Sequence, residues 1–168
     1  MDDLKPIDYK ILWELIKNSR RSDRQLARVL HISQPTVTRR RALLEKKLID
    51  GYTAIPKWKN IGYEIFAITF TKIKADIASE EKYEGTRKKG LQWLMKQSNI
   101  IMAGSCRGSG VDSFMISLHK SYSDYDDFMR NQRLELGDFI TDVQSVLVNL
   151  TGKELLKPLD LRYLAESK

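Results

Sequence analysis

The chain has 168 residues, 42% hydrophobic and 30% charged, which suits one large or two small globular domains. Its one cysteine, Cys106, excludes an internal disulfide and a cysteine metal cluster; no stretch approaches the ~20 apolar residues of a membrane helix. The net charge is +7 and it is localised: residues 1–59 hold 14 Lys and Arg against 7 Asp and Glu, residues 60–168 hold 15 against 15. A lysine-rich composition would spread such an excess evenly. A local one suits a phosphate-binding module, because neutralising phosphates releases their counterions.

Three helices are predicted first. Pro6 suits a first helical turn, and Ile7, Ile11, Leu12, Leu15 and Ile16 follow at helical spacing. Asn18-Ser19 ends that run. Ser22 and Gln25 form a capping-box pattern that opens a short second helix with Leu26, Ala27 and Leu30 inside. His31-Ile32 makes a tight connection. Ser33 is a good N-cap and Pro35 falls in the first turn of a third helix, whose inner face carries Val37 and Leu44. Asp50-Gly51 is a turn signal, and Tyr52, Thr53 and Ile55 favour a strand, a candidate wing. Residues 56–62 read as a linker.

The remainder alternates strand and helix. Strands are expected over residues 64–74, 100–106, 113–119 and 140–150, and helices over 79–97 and 123–136, the latter capped by Ser123. Gly108-Ser109-Gly110 joins the two middle strands. The order βαββαβ is the ferredoxin-like arrangement. Ile65 and Ile73 point to one face, Phe66, Ile68 and Phe70 to the other; on the last strand Val146 and Val148 oppose Val143 and Leu147. Two helices cover one face of such a sheet, so the other needs a partner, most simply a second copy.

The third helix carries the sharpest signal. At ~100° per residue from Val37, Pro35, Arg39 and Ala42 point outward and Thr38 lies to one side, a face fit for a major groove. Arginine binds guanine bidentately, glutamine binds adenine, and threonine meets phosphate or a thymine methyl. Arg40 and Arg41 flank the inner seam, from where they are expected to snorkel toward backbone phosphates. The expected DNA-contacting set is Ser22, Ser33, Gln34, Thr36, Thr38, Arg39, Arg40 and Arg41. The bland alternative is a solvated basic helix face.

Several segments carry a family resemblance. The opening Ile7-Asp8-Tyr9-Lys10-Ile11-Leu12, then Leu26-Ala27 followed by Ile32-Ser33-Gln34-Pro35-Thr36-Val37-Thr38-Arg39-Arg40, then Leu44-Glu45 with Ile49-Asp50-Gly51-Tyr52-Thr53-Ala54, and Asn60-Ile61-Gly62-Tyr63 together resemble the Lrp/AsnC transcriptional regulators. The sequence departs from that pattern in lacking a glycine to close the third helix and in carrying Arg41 where the family usually has an apolar residue.

The resemblance implies an α+β protein: an N-terminal winged helix-turn-helix over residues 1–55, a linker over 56–63, and a βαββαβ ferredoxin-like (RAM) domain with one antiparallel sheet over 64–154. A tail over 155–168 follows, with Pro158-Leu159-Asp160 a candidate helix start. It further implies a cytoplasmic, non-enzymatic regulator that binds double-stranded DNA, has no membrane partner, and assembles as a homodimer, with a tetramer or octamer as larger forms. An amino-acid effector is implied at the connection of the second and third strands, where Gly108 and Gly110 offer backbone N–H groups to a carboxylate and Asp112 takes an ammonium; the plain alternative is a hairpin turn. No cofactor or metal is expected. His31, His119 and Cys106 are expected to be structural, with Cys106 buried, and Trp93, Leu94 and Met95 to be core or interface. Two other classes share the architecture: an effector-independent architectural DNA-binding protein, and a siroheme decarboxylase-like enzyme, which needs basic and histidine residues in the second domain.

Overall fold

The structure is a computed structural model that describes residues 4–74, 80–153 and 155–166. It comprises two compact units, Met1–Ile55 together with Pro158–Lys168, and Pro56–Lys157.

The first unit is helical. Helix α1 (Pro6–Lys17) starts with proline at its head, and Asp8 Oδ2 accepts the Lys5 N–H at 2.6 Å. Helix α2 (Asp23–Leu30) opens on the expected capping box: Ser22 Oγ accepts from the Gln25 N–H at 3.3 Å, and Gln25 Oε1 accepts from the Ser22 N–H at 2.8 Å. It closes at His31, a non-glycine residue in the left-handed region at φ 55°. Helix α3 (Gln34–Lys47) is capped by Ser33, whose Oγ accepts from the Thr36 N–H at 3.4 Å. Ile11, Leu15, Leu26, Ala27, Val37 and Leu44 form the buried core among the three. The chain's end returns to this unit: α6 (Tyr163–Glu166) packs on α1 and buries Ala165 completely.

The strand expected at Tyr52, Thr53 and Ile55 does not form, for that segment pairs with no neighbour. A strand's stability comes from its ladder, and β-propensity alone does not supply one. Tyr52 is instead fastened to α3: its hydroxyl donates to Glu45 Oε1 at 2.9 Å, and the Arg41 guanidinium lies 5.4 Å from its ring centroid.

The second unit has the order β1 (Ile65–Ile73), α4 (Glu80–Lys96), β2 (Ile100–Gly108), β3 (Val111–His119), α5 (Tyr122–Leu136), β4 (Ile140–Asn149). Its sheet runs β2-β3-β1-β4, antiparallel throughout, as the βαββαβ reading requires. Residue 79, where the fourth helix was expected to start, lies outside the described residues. The fifth helix begins earlier than expected, and Ser121, not Ser123, caps it by accepting the Asp124 N–H at 3.1 Å.

Register separates the two faces of the sheet. On the helix side, Trp93, Met115 and Phe128 form the core, beside Ala67, Thr69 and Ser117. On the other side Phe66 stands opposite Leu118 and Val148, and Ile68 opposite Ile116 and Val146. Neither α4 nor α5 covers this apolar face, and Val146 remains 55% exposed.

Candidate nucleic-acid interface

The three successive arginines of α3 have three different surroundings. Arg39 is exposed, and no carboxylate pairs with it among the described residues. Arg40 turns inward: its Nε stands 2.9 Å from Oδ1 of the fully buried Asp8, close in distance but off the line of a hydrogen bond. Its own side chain is only 12% exposed. Arg41 donates to Glu45 Oε1 (3.0 Å), to the Arg21 carbonyl (3.1 Å) and to Asp23 Oδ1 (3.2 Å), tying α3 to the start of α2. Burial lowers the Arg41 pKa, but hydrogen bonds to Glu45, Tyr52 and Asp23 outweigh it and hold the guanidinium above its ordinary value. The Tyr52 phenol is pushed up, first by burial and then by Glu45, so its hydroxyl stays a donor.

The expectation that Arg40 and Arg41 reach for phosphates thus meets guanidiniums that already have carboxylate partners. Asp8 sits at apolar-face spacing from Ile11 and Leu15, where a buried carboxylate demands a cation, and Arg40 answers it. Thr38 is also engaged, donating to Asp23 Oδ2 at 2.7 Å with the Gln34 carbonyl at 3.2 Å. Thr36 Oγ1 and Ser33 Oγ lie 2.8 Å apart. Gln34 and Arg39 are left exposed on α3. Ser22 and Ser33 stand at the N-termini of α2 and α3, where backbone N–H groups and the helix dipole favour anions.

Within this unit Asp8, Glu14, Asp23 and Glu45 all face cations of their own fold: Arg40, Lys17 with Arg21, and Arg41. The positive charge left over is borne outward by side chains with no such partner among the described residues, Arg24, Arg28 and Arg39 among them.

In the sheet unit, the expected loop is a tight hairpin. Gly108 pairs with Val111, and the two turn residues Ser109 (φ 51°) and Gly110 (φ 72°) both lie at positive φ, as a type I′ turn requires. Asp112 therefore belongs to β3, and its Oδ2 accepts the Ile73 N–H at 2.8 Å, beside the register shift at Lys72/Ile73. Cys106, on edge strand β2, is only partly buried. His119 is fully buried, its Nε2 2.8 Å from Ser117 Oγ.

Residues 4–45 match the AsnC-type helix-turn-helix domain. The chain is 42% identical over 150 residues to the HTH-type transcriptional regulator Ptr1 of Methanocaldococcus jannaschii, covering 89% of this chain and 87% of that one. This protein belongs to the Lrp/AsnC family of transcriptional regulators. The fold agrees along nearly its whole length. The Neisseria meningitidis regulator NMB0573, solved as a complex with L-Met, superposes with a TM-score of 0.77 at 20% identity, covering 96% of this chain and 99% of that one. Escherichia coli AsnC gives 0.69 at 20% identity, covering 86% and 91%. As an HTH-type regulator of this family, the protein acts on transcription through its helical unit.

Sequence reasoning passed over Arg24 and Arg28. One signal was available: both lie four residues apart on the polar side of α2, away from Leu26 and Ala27.

Proposed function

We propose that α3 enters the major groove of an operator and reads bases through Gln34 and Arg39. The N-termini of α2 and α3, at Ser22 and Ser33, take backbone phosphates, and Arg24 and Arg28 add charge along the flank. Thr36, Thr38, Arg40 and Arg41 set the pose of α3 from within. The observation that carries this reading is the contrast inside the arginine run, with Arg39 exposed and unpaired among the described residues while Arg40 and Arg41 face Asp8, Asp23 and Glu45. Two such helices on a homodimer joined through the open sheet face would meet a pseudo-palindromic site, with half-sites about one helical turn apart or a multiple of it. Footprinting and anisotropy titration test it: Arg39→Ala is expected to weaken operator binding by about 1–3 kcal/mol and to relax base preference. A variant that footprints like the parent refutes the assignment.

We further propose an amino-acid effector at the hairpin, held by the N–H groups of Gly108 and Gly110 and by Asp112. The L-Met bound to the Neisseria regulator supports the ligand class. The Asp112 bond to Ile73 favours a second reading, in which this carboxylate only holds strand register and DNA binding is effector-independent. A screen of amino acids by operator binding and thermal shift separates the two. A response abolished by Asp112→Ala supports the effector site, and a flat response supports the second reading.

A further inference from the structure

A cavity of about 340 Å³ lies in the sheet unit, between the helices α4 and α5 and the strands they cover. The pocket is half-open, with Ala103 and Ser105 of its lining exposed, and its volume falls within the range of small-molecule sites, about 300–1,000 Å³. The space follows from the sequence. The strands present Thr71, Ala103 and Ser113 to it, where an apolar core would have larger side chains. On α4 it is faced by Gly90, and a Cβ added there would meet nothing within 4 Å. Glycine within a helix is destabilising relative to alanine, so a glycine facing unfilled space has no packing reason to be there.

The walls carry a chemical pattern. Trp93, Leu136 and Phe139 supply apolar surface. Trp93 is 2% exposed, yet its indole Nε1 finds no acceptor among the described residues. That N–H is closed off from the pocket's open space, so Trp93 offers the pocket apolar surface and no accessible donor. Gln132, 4% exposed, brings an amide to the same wall from α5. Among the described lining residues Arg87 is the only charged one, and it carries a positive charge. Its pairing with Glu84, at 3.4 Å between side chains each at least 60% exposed, is of the weak surface kind and is exchangeable. Lys89 adds a second cation nearby, with Nζ 5.2 Å from the ring centroid of Phe139.

We propose that this cavity binds an apolar monocarboxylate. Its hydrocarbon or aromatic body fills the space opened by Gly90, against Trp93, Leu136 and Phe139, and its carboxylate meets Arg87 at the mouth. A zwitterionic amino acid fits less well, because its ammonium would stand beside the cation Arg87 and no carboxylate among the described lining residues answers it. Arg87 opens the basic run Arg87-Lys88-Lys89, which thereby gains a role beside the pocket. The site uses neither the hairpin glycines nor Asp112, and it stands independently of the DNA-binding reading.

Calorimetry and thermal shift on the full chain test this with three probes, phenylpyruvate, phenylacetate and 4-methyl-2-oxopentanoate, against phenylalanine as the zwitterion of matching body. Saturable binding of at least one carboxylate is expected, roughly tenfold or more tighter than phenylalanine. Gly90→Leu, which fills the cavity, is expected to abolish it. Arg87→Gln, which removes the charge from an exposed side chain, is expected to weaken it roughly tenfold and decides the matter if Gly90→Leu folds poorly. Asp112→Ala is expected to bind as the parent does. The proposal is overturned if none of the three carboxylates binds at millimolar concentration, if both cavity variants bind as well as the parent, or if Asp112→Ala abolishes binding.

Discussion

Removing the carboxylate of Asp8 is the sharpest perturbation of the DNA-binding unit, because it separates holding α3 from reading DNA. In Asp8→Ala the Arg40 guanidinium loses its counter-ion while its side chain remains 12% exposed, and the Lys5 N–H loses its acceptor. Breaking a buried ion pair from one side costs about 3–5 kcal/mol. The partial exposure of Arg40 places this case at the low end, and the lost cap adds about 1 kcal/mol. A loss of about 4 kcal/mol is a large share of the 5–15 kcal/mol that holds typical domains together. At roughly 4–8 °C per kcal/mol for a domain this small, the helical unit's melting temperature should fall by about 15 °C or more. Arg39→Ala, by contrast, removes an exposed side chain and should change stability within about 0.5 kcal/mol while weakening operator binding. Replacing the pair with apolar groups, as in Asp8→Leu with Arg40→Met, should restore most of the lost stability, since burying two charges offsets much of their attraction. Urea denaturation of the parent and these three variants measures this. If Asp8→Ala costs less than about 1 kcal/mol, or if the double variant is no better than the single, the pair does not hold α3 and the reasoning fails.

Three further outcomes are expected. Burial lowers the His119 pKa, and Asp124 offsets this only in part, so the folded state takes up a proton less readily than the unfolded chain. The stability of the sheet unit should therefore be full above the unfolded value of about 6.5 and decline as pH falls below it, no more steeply than the one-proton limit of about 1.4 kcal/mol per pH unit. His119→Gln should flatten that decline in thermal melts between pH 7.5 and 5, and an unchanged slope would assign it to other groups. Val146→Glu places a charge in the open apolar face and should convert a dimer to a monomer in light scattering; a variant that remains dimeric moves the interface elsewhere. Gly90→Ala should stabilise the sheet unit by about 0.5–1 kcal/mol, since the added methyl meets open space, and destabilisation would mean that α4 needs the glycine's backbone freedom.

Local signals made much of the fold legible. The Ser22–Gln25 box and the Ser33 cap with Pro35 behind it mark where α2 and α3 begin, because each satisfies backbone donors within a few residues. Strand and helix periods likewise give βαββαβ. What failed depends on partners distant in sequence. Tyr52, Thr53 and Ile55 have strand propensity, but no partner strand pairs with them. The start of α5 is a local exception: Ser123 is as good a cap as Ser121 by residue type, and it is the Asp124 N–H on Ser121 Oγ and the Lys120 N–H on the Asp124 carboxylate, at 2.8 Å, that fix it. Arg39, Arg40 and Arg41 are identical letters whose roles are separated by Asp8, Asp23 and Glu45. The hairpin was placed correctly in the chain, but its length was overestimated because Gly108 pairs with Val111 and Asp112 lies within β3.

The burial of Ala165 against α1 has a consequence for the life of the chain on the ribosome. Helices α1, α2 and α3 are translated first, and N-terminal domains commonly fold while synthesis continues. Here the surface of α1 that α6 covers stays bare until Tyr163–Glu166 emerge, because the whole of Pro56–Lys157 is inserted between the two parts of one unit. A chain cut short before β4 yields three helices with that surface open and an incomplete sheet. Completion of the helical unit is thereby coupled to synthesis of the whole sheet unit.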